Sequence, residues 1–199
     1  MPRERLSRTP AAVVLAAGAS TRMGRPKQLL RHRDRSFVGC AVDLAHAAGC
    51  APIVVVTGAI DLGHEPLAPA IVITNPDWPM GQLSSLQRGL AAALELRPGT
   101  PALLVLTVDR PHLRPSTITA LVDAWRAEPE GLWQPELDGR RGHPVIYPAA
   151  LLPALAALPP TASPRPLVAA HDALRRGLAT SDPAVLDNLD HPEDLARLP

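Results

Sequence analysis

Short apolar runs alternate along the chain with longer stretches in which apolar residues recur at helical spacing. A run that is apolar throughout is typical of a strand covered on both faces of a sheet. Such runs occupy residues 11–16, 53–56, 71–73 and 103–108. Helical spacing occupies residues 36–48, 82–96 and 116–126, where Ser36 and Ser116 are the expected N-caps. The alternation predicts an α/β fold with a mostly parallel sheet and helices on both faces.

The last third of the chain is less regular. Trp133 and residues 145–147 predict strands at the sheet edge, on either side of a turn at residues 139–142. Prolines interrupt the sequence that follows, so it predicts no clear element. We expect a single domain over residues 1–199, with residues 1–10 as a flexible extension.

Composition narrows the classes of function. The formal net charge of +1 excludes the broad basic surface of a nucleic-acid-binding protein. No apolar run is long enough to span a membrane, and two cysteines without metal spacing suggest free thiols in the cytoplasm. A signal peptide is the alternative at the N-terminus, but its cleavage near Ala19 would remove the best motif of the sequence.

That motif is a glycine loop at residues 18–24, directly after the first predicted strand. Small residues let backbone N–H groups approach phosphate oxygens. Arg22 and Lys27, the only lysine of the chain, add positive charge. The spacing fits neither a Walker loop nor the dinucleotide fingerprint, which argues against a nicotinamide-dependent oxidoreductase. A glycine turn without a ligand is the alternative.

Residues 15–27 resemble the signature of the MobA-like NTP transferases, nearest to the molybdenum cofactor cytidylyltransferase branch. The resemblance implies a three-layer, Rossmann-like nucleotidyltransferase fold, with Arg22 and Lys27 as catalytic residues on the triphosphate. The nucleotide-binding residues that it implies are Leu15, Ala16, Ala17, Gly18, Ala19, Ser20, Asn75, Gly81, Ser84 and Ser85. Guanylyltransferases of the family usually carry glycine in place of Ala17, so the resemblance favours CTP over GTP. N-capping by Ser84 is the alternative for the serines.

Asp109 is the candidate ligand of a magnesium ion, which prefers carboxylate and phosphate oxygens. An aspartate that caps the turn before Pro111 is the alternative. The segment resembles the family's Asp-Gln-Pro motif, whose aspartate binds the metal, although Arg110 replaces the glutamine. Asn188 and Asp190 resemble the family's closing motif, which implies that they complete the metal site. An ordinary helix start is the other interpretation there.

Arg140, Arg141 and His143 resemble the turn that binds the acceptor in the family, and a solvated hairpin is the alternative. The glycine-rich segment that cytidylyltransferases usually carry after residue 161 is absent, so a pterin acceptor is not supported. We expect a Mg²⁺-dependent transfer of CMP from CTP to a small phosphate or phosphonate acceptor, with a place in molybdenum cofactor metabolism implied by the branch. The alternatives are a sugar 1-phosphate acceptor and a degenerate nucleotide-binding accessory protein, the latter because Gln82, Arg110 and Asn188 depart from the family pattern.

Overall fold

The computed structural model describes residues 8–199. Residues 1–7, which belong to the predicted extension over residues 1–10 and form most of the basic start of the signal-peptide alternative, lie outside the described residues. The strands are β1 (Ala11–Leu15), β2 (Arg31–His32), β3 (Arg35–Ser36), β4 (Ile53–Thr57), β5 (Ile71–Thr74), β6 (Ala102–Thr107), β7 (Leu132–Leu137), β8 (Arg140–Arg141), β9 (Val145–Pro148) and β10 (Arg175–Ala179). The helices are α1 (Phe37–Ala47), α2 (Gln82–Leu96), α3 (Pro115–Ala127), α4 (Leu152–Ala157) and α5 (Arg165–Ala170).

The main sheet has the strand order β10-β7-β9-β6-β1-β4-β5, with β8 paired to β7. β5, β4, β1 and β6 are parallel neighbours, and β10 is parallel to β7. β9 is antiparallel to both β6 and β7. The loops that follow β1 and β6 therefore lie side by side at the carboxyl edge of the sheet, which is where ligands bind in this class of fold.

Helices cover both faces of the sheet, as predicted. On one face, Phe37 of α1 and Trp125 of α3 are fully buried against alternate strand residues such as Val14. On the other face, α2 approaches the strands closely, because a Cβ atom at Gly89 would lie 2.7 Å from Val13. Among the described residues, no helix is long and apolar enough to cross a membrane.

The predicted cap at Ser36 is confirmed, since its side chain accepts a hydrogen bond from the Gly39 amide. The predicted cap at Ser116 is wrong, because α3 begins at Pro115, whose fixed φ suits the first helical position. The backbone amide of Arg114, at the start of this helix, donates a hydrogen bond to a residue far away in the sequence. The Asp182 carboxylate accepts from the Arg114 amide at 2.9 Å and from the Thr117 hydroxyl at 2.8 Å.

Two expectations about the sheet edges are also wrong. β7 and β9 are internal strands, because β10, from the proline-rich region without predicted elements, pairs with β7 and takes the edge position. At the opposite edge lies β5, which is exposed rather than buried, with Ile71 43% and Val72 44% accessible. Continuous apolar sequence did not distinguish this edge strand from the central ones.

Candidate active site

A cleft of about 780 Å³ opens at the carboxyl ends of β1 and β6. It brings together predicted site residues from five separate parts of the sequence: the glycine loop, the start of α2, the end of β6, the turn before β9 and the C-terminal segment. Those that line the cleft are Leu15, Ala17, Gly18, Ser20, Arg22, Lys27, Gly81, Ser85, Asp109, His143, Asn188 and Asp190. We call this the nucleotide cleft, after the predicted nucleotide-binding residues that line it.

The glycine loop is held by Gln28, which the sequence analysis did not identify. Its amide Nε2 donates to the carbonyl oxygens of Ala16 at 2.7 Å and Gly18 at 2.6 Å. Its Oε1 accepts from the Ser20 hydroxyl, which in turn accepts from the Lys27 amide at 3.0 Å. A Cβ atom added at the exposed Gly18 would meet no atom within 4 Å. Packing therefore does not require glycine here, and the open space is where a ligand could approach the backbone.

Asp190 joins the two basic residues of the loop. Its Oδ1 accepts from Lys27 Nζ at 2.8 Å, and its Oδ2 accepts from Arg22 Nη1 at 3.0 Å. Partial burial acts to raise the pKa of Asp190, but Lys27, Arg22 and the Asn188 amide together hold it below its usual range. Lys27 is buried, whereas the Arg22 side chain is 64% exposed. The Lys27 ammonium is therefore held in one position by its surroundings, whereas the exposed Arg22 guanidinium is free to move.

Asp109 lies beside this group at the end of β6. Its Oδ1 accepts from the Thr107 hydroxyl and from Arg110 Nη1, the latter at 2.9 Å. Its carbonyl oxygen accepts from the Leu189 amide at 2.9 Å, which brings Asn188 and Asp190 to the same end of the cleft.

The donor set at this end fits a hard divalent cation. Asp109 Oδ2 makes no hydrogen bond within residues 8–199, and Asp190 and Asn188 add carboxylate and amide oxygens. Magnesium is typically held by one or two carboxylates together with substrate phosphates. No group of three or more His, Cys, Asp and Glu side chains suited to a metal occurs in the described part of the chain. A cation at this end of the cleft would therefore take some of its ligands from the protein and the others from the nucleotide.

Two of the predicted nucleotide-binding residues, Asn75 and Ser84, lie outside the lining of the cleft and hold neighbouring residues in place. Asn75 is buried, and its Nδ2 donates to the hydroxyls of Ser84 and Ser85 at 3.0 Å each. Ser84 is not an N-cap, because its hydroxyl donates to the carbonyl oxygen of Gly81, the residue before α2. The φ of Gly81 is 126°, a backbone conformation that favours glycine. Ala16 and Ala19 lie outside the lining of the cleft.

A second cleft of about 490 Å³ adjoins the first, and His143 and Arg165 line both. Of the predicted acceptor-binding residues, Arg141 lines only the second cleft, and Arg140 lines neither. Burial, together with the positive charge of Arg110, lowers the pKa of His143 to about 4. The imidazole at the junction of the two clefts is therefore neutral at physiological pH.

The lowered pKa of the half-buried His143 predicts how the stability of the protein depends on pH. Its folded pKa of about 4 lies below the ordinary value of 6.5, so the unfolded chain binds more protons between these values. The resulting stability is complete above about pH 6.5 and is lost as the pH falls towards 4, at a cost of about 2 kcal/mol between pH 7 and 5. We expect His143→Gln to remove this part of the pH dependence in urea denaturation at the two pH values. Equal losses of unfolding free energy in the variant and the natural protein would contradict it.

A family model described as the MobA-like NTP transferase domain matches residues 12–175, which include the glycine loop, Asp109 and His143. The chain belongs to this family. It is a nucleotidyltransferase by that membership. The predicted family is thereby confirmed, and the mostly parallel sheet with helices on both faces confirms the predicted fold class.

The chain is similar to one protein by sequence and to two proteins of known structure. Nicotine blue oxidoreductase of Paenarthrobacter nicotinovorans is 37% identical over 154 residues, 72% of this chain and 73% of the relative. The structure of Rv0371c from Mycobacterium tuberculosis is 26% identical and covers 96% of each chain with a TM-score of 0.73, and the same protein has been solved in complex with manganese (25% identity, 96% and 97% coverage, TM-score 0.68). The 2-C-methyl-D-erythritol 4-phosphate cytidylyltransferase of Thermus thermophilus shares the fold, at 20% identity over 96% of this chain and 97% of that chain, with a TM-score of 0.66.

Proposed function

We propose that this nucleotidyltransferase transfers CMP from CTP to a small anionic acceptor and releases pyrophosphate, with Mg²⁺ or Mn²⁺ as its cation. The observation that supports this most is the joint placement of Lys27, Asp109 and Asp190 in one cleft, from loops far apart in the sequence. Two fixed carboxylates and a buried ammonium are the groups that a metal–triphosphate complex requires.

In this proposal, the triphosphate enters over Gly18, where the loop is open. Lys27 and Arg22 both form ion pairs with Asp190 in the structure, and the three groups together keep a net positive charge. Phosphate oxygens would take the place of Asp190 beside Lys27 and Arg22, which would leave the Asp190 carboxylate free to hold a divalent cation. Asp109, whose Oδ2 makes no hydrogen bond within residues 8–199, would hold the same ion. When bound, that ion neutralises charge on the phosphate oxygens.

The chemical step follows from positioning and charge. An acceptor oxygen attacks the α-phosphorus, a new P–O bond forms, and the bond to the bridging oxygen breaks as pyrophosphate leaves. An acceptor that is already anionic needs no general base. The neutral His143 at the junction of the clefts suits this scheme, because it adds no charge beside the incoming anion. Lys27 then stabilises the charge on the transferred group.

The choice of CTP rests on Ala17, which is buried and whose methyl group lines the nucleotide cleft. Less room at this position suits a pyrimidine better than a purine. A place in molybdenum cofactor metabolism is not part of the proposal, because residues 165–172 form α5 and a short turn in place of the branch's glycine-rich segment.

Oxidoreduction is a second candidate, favoured by one observation. The relative of 37% identity is named as an oxidoreductase, and the match extends over 72% of this chain. The two joined clefts could accept a nucleotide and a second substrate side by side in either reaction. A test of function must therefore include reduced nicotinamide nucleotides.

The first test is a thermal shift panel with CTP, GTP, UTP, ATP, NADH and NADPH, each with Mg²⁺, Mn²⁺ or EDTA. Ligand at 100 times its Kd stabilises the folded state by about 2.7 kcal/mol, which is roughly 5–10 °C for a chain of this size. We expect a shift of this order for CTP with either cation and a much smaller one with EDTA. A cation-independent shift for NADH or NADPH alone would favour oxidoreduction. No shift for any nucleotide above millimolar concentration would favour the accessory protein.

A further inference from the structure

The second cleft has an apolar floor formed by three adjacent elements. Val105 of β6 and Val145 of β9 are register partners, and Tyr147 of β9 pairs with the next-but-one residue of β6, so all three lie on the same face of the sheet. Leu83 and Leu86 of α2 add a second apolar wall, and both are at most 3% exposed. We call this cleft the acceptor pocket.

Several polar atoms around this floor have no partner within residues 8–199. The Tyr147 hydroxyl makes no hydrogen bond, and burial raises the pKa of Tyr147 to about 12, so it remains a neutral donor. His143 Nδ1 and Arg175 Nε are buried without a partner. The two buried atoms of His143 and Arg175 are costly unless something binds them, so they indicate contacts that a ligand would complete.

Positive charge lies at the entrance from the nucleotide cleft. Arg165 lines both clefts, and its guanidinium makes no ion pair or hydrogen bond within the described part of the chain. Arg141 and Arg175 line only the acceptor pocket, where Glu136 and Asp172 already compensate their charge. The uncompensated cation is thus the one closest to where the two substrates would meet.

We propose that the acceptor is an anion with an apolar body of ring size, rather than a polyol. The anionic group would bind Arg165 at the junction of the clefts, and the body would lie on Val105, Val145 and Tyr147. A volume of about 490 Å³ is in the usual range for a small-molecule site. Sugar hydroxyls placed on Val105 and Val145 would lose their water and find no partner in those two side chains, whereas polar residues such as Gln82 line other parts of the pocket. The inference rests on the proposed function and excludes the sugar 1-phosphate alternative.

The test compares two probes with the same anionic group. Phenyl phosphate and glucose 1-phosphate are titrated into the protein by calorimetry, with and without saturating α,β-methylene CTP and Mg²⁺. Pyrophosphate release is then measured for both with CTP. We expect phenyl phosphate to bind at least about tenfold more tightly and to support faster release. Equal binding, tighter binding of glucose 1-phosphate, or binding of neither probe overturns the inference.

A pair of matched variants on α5 tests whether phenyl phosphate binds in the acceptor pocket. Val168 lines the acceptor pocket, whereas Ala170 is exposed on the same helix and lines neither cleft. We expect Val168→Asn to weaken phenyl phosphate at least about fivefold and Ala170→Asn to leave it unchanged. Tyr147→Phe, which keeps the ring, should weaken the probe less. Equal affinities in the Val168 and Ala170 variants contradict the assigned site.

The CTP thermal shift separates this inference from the proposed function. If CTP stabilises the protein but glucose 1-phosphate is the better probe, only the acceptor class is wrong. If no nucleotide binds but phenyl phosphate still prefers the pocket without nucleotide, the apolar anion site stands and nucleotidyl transfer fails.

Discussion

Replacing Lys27 by alanine is expected to lower kcat by about 10²–10³-fold, the loss typical of removing one donor that stabilises transition-state charge. The expected cost in stability is smaller, on the order of 1–2 kcal/mol, for a lost hydrogen bond to a charged group. Asp190 keeps Arg22 and Asn188 as partners in this variant, so its carboxylate does not become an unpaired buried charge. Turnover and thermal melting of the variant check the prediction.

Two further variants test whether the position of the Lys27 ammonium matters or only the presence of a positive charge. Lys27→Arg keeps the positive charge, but a planar guanidinium does not fit the place of a compact, buried ammonium. We expect it to recover little of the lost turnover. Arg22→Ala removes the exposed partner of the same Asp190, and we expect a loss about tenfold smaller than for Lys27→Ala. If Lys27→Ala loses stability and turnover in proportion, its role is structural and not catalytic.

The sequence predicted the parts of the site that local pattern determines. Continuous apolar runs identified the central strands β1, β4 and β6, because each is covered on both faces. Since strand ends meet at one edge of a parallel sheet, Gly18 and Asp109 could be expected to share a cleft. The structure brings them together as expected.

Other parts depend on contacts between distant segments, and sequence pattern carries little trace of them. β10 has no fully buried residue, and only Leu178 of this strand packs against the core, so its pairing with β7 was not visible from the sequence. Asp182 caps α3 from a distance of 68 positions along the chain. Gln28 was also missed, although it directly follows Lys27, the last residue of the family signature.

The residues around the acceptor pocket show the same difference between what local sequence pattern predicts and what it does not. Arg141 and His143 were found through their resemblance to a family turn, and both line the acceptor pocket. Arg165 was not predicted as a site residue, because it lies where the family's glycine-rich segment is absent, and the absence of a motif does not say what replaces it. The structure places α5 there, with Arg165 at the junction of the two clefts.

Asp109→Asn is expected to lower CMP transfer by at least about 10²-fold and to abolish the part of the CTP thermal shift that depends on the cation. The fold should be retained, because the asparagine carbonyl can still accept from Thr107 and Arg110, the present partners of Oδ1. Thermal shift with CTP and graded Mn²⁺ measures the effect. Asp43→Asn is the matched control, since Asp43 is a paired carboxylate on α1 that lies outside the nucleotide cleft.

Arg110→Gln tests the same metal site in the opposite direction. Arg110 occupies one oxygen of Asp109 and places a buried positive charge beside the proposed cation. Glutamine, the residue that the family motif carries there, removes the charge. We therefore expect the Mn²⁺ concentration for half-maximal activity to fall, by up to about tenfold, as for changes in the groups that contact metal ligands. An unchanged cation requirement in both the Asp109 and the Arg110 variants would remove Asp109 from the metal site and leave Asp190 as the carboxylate to test.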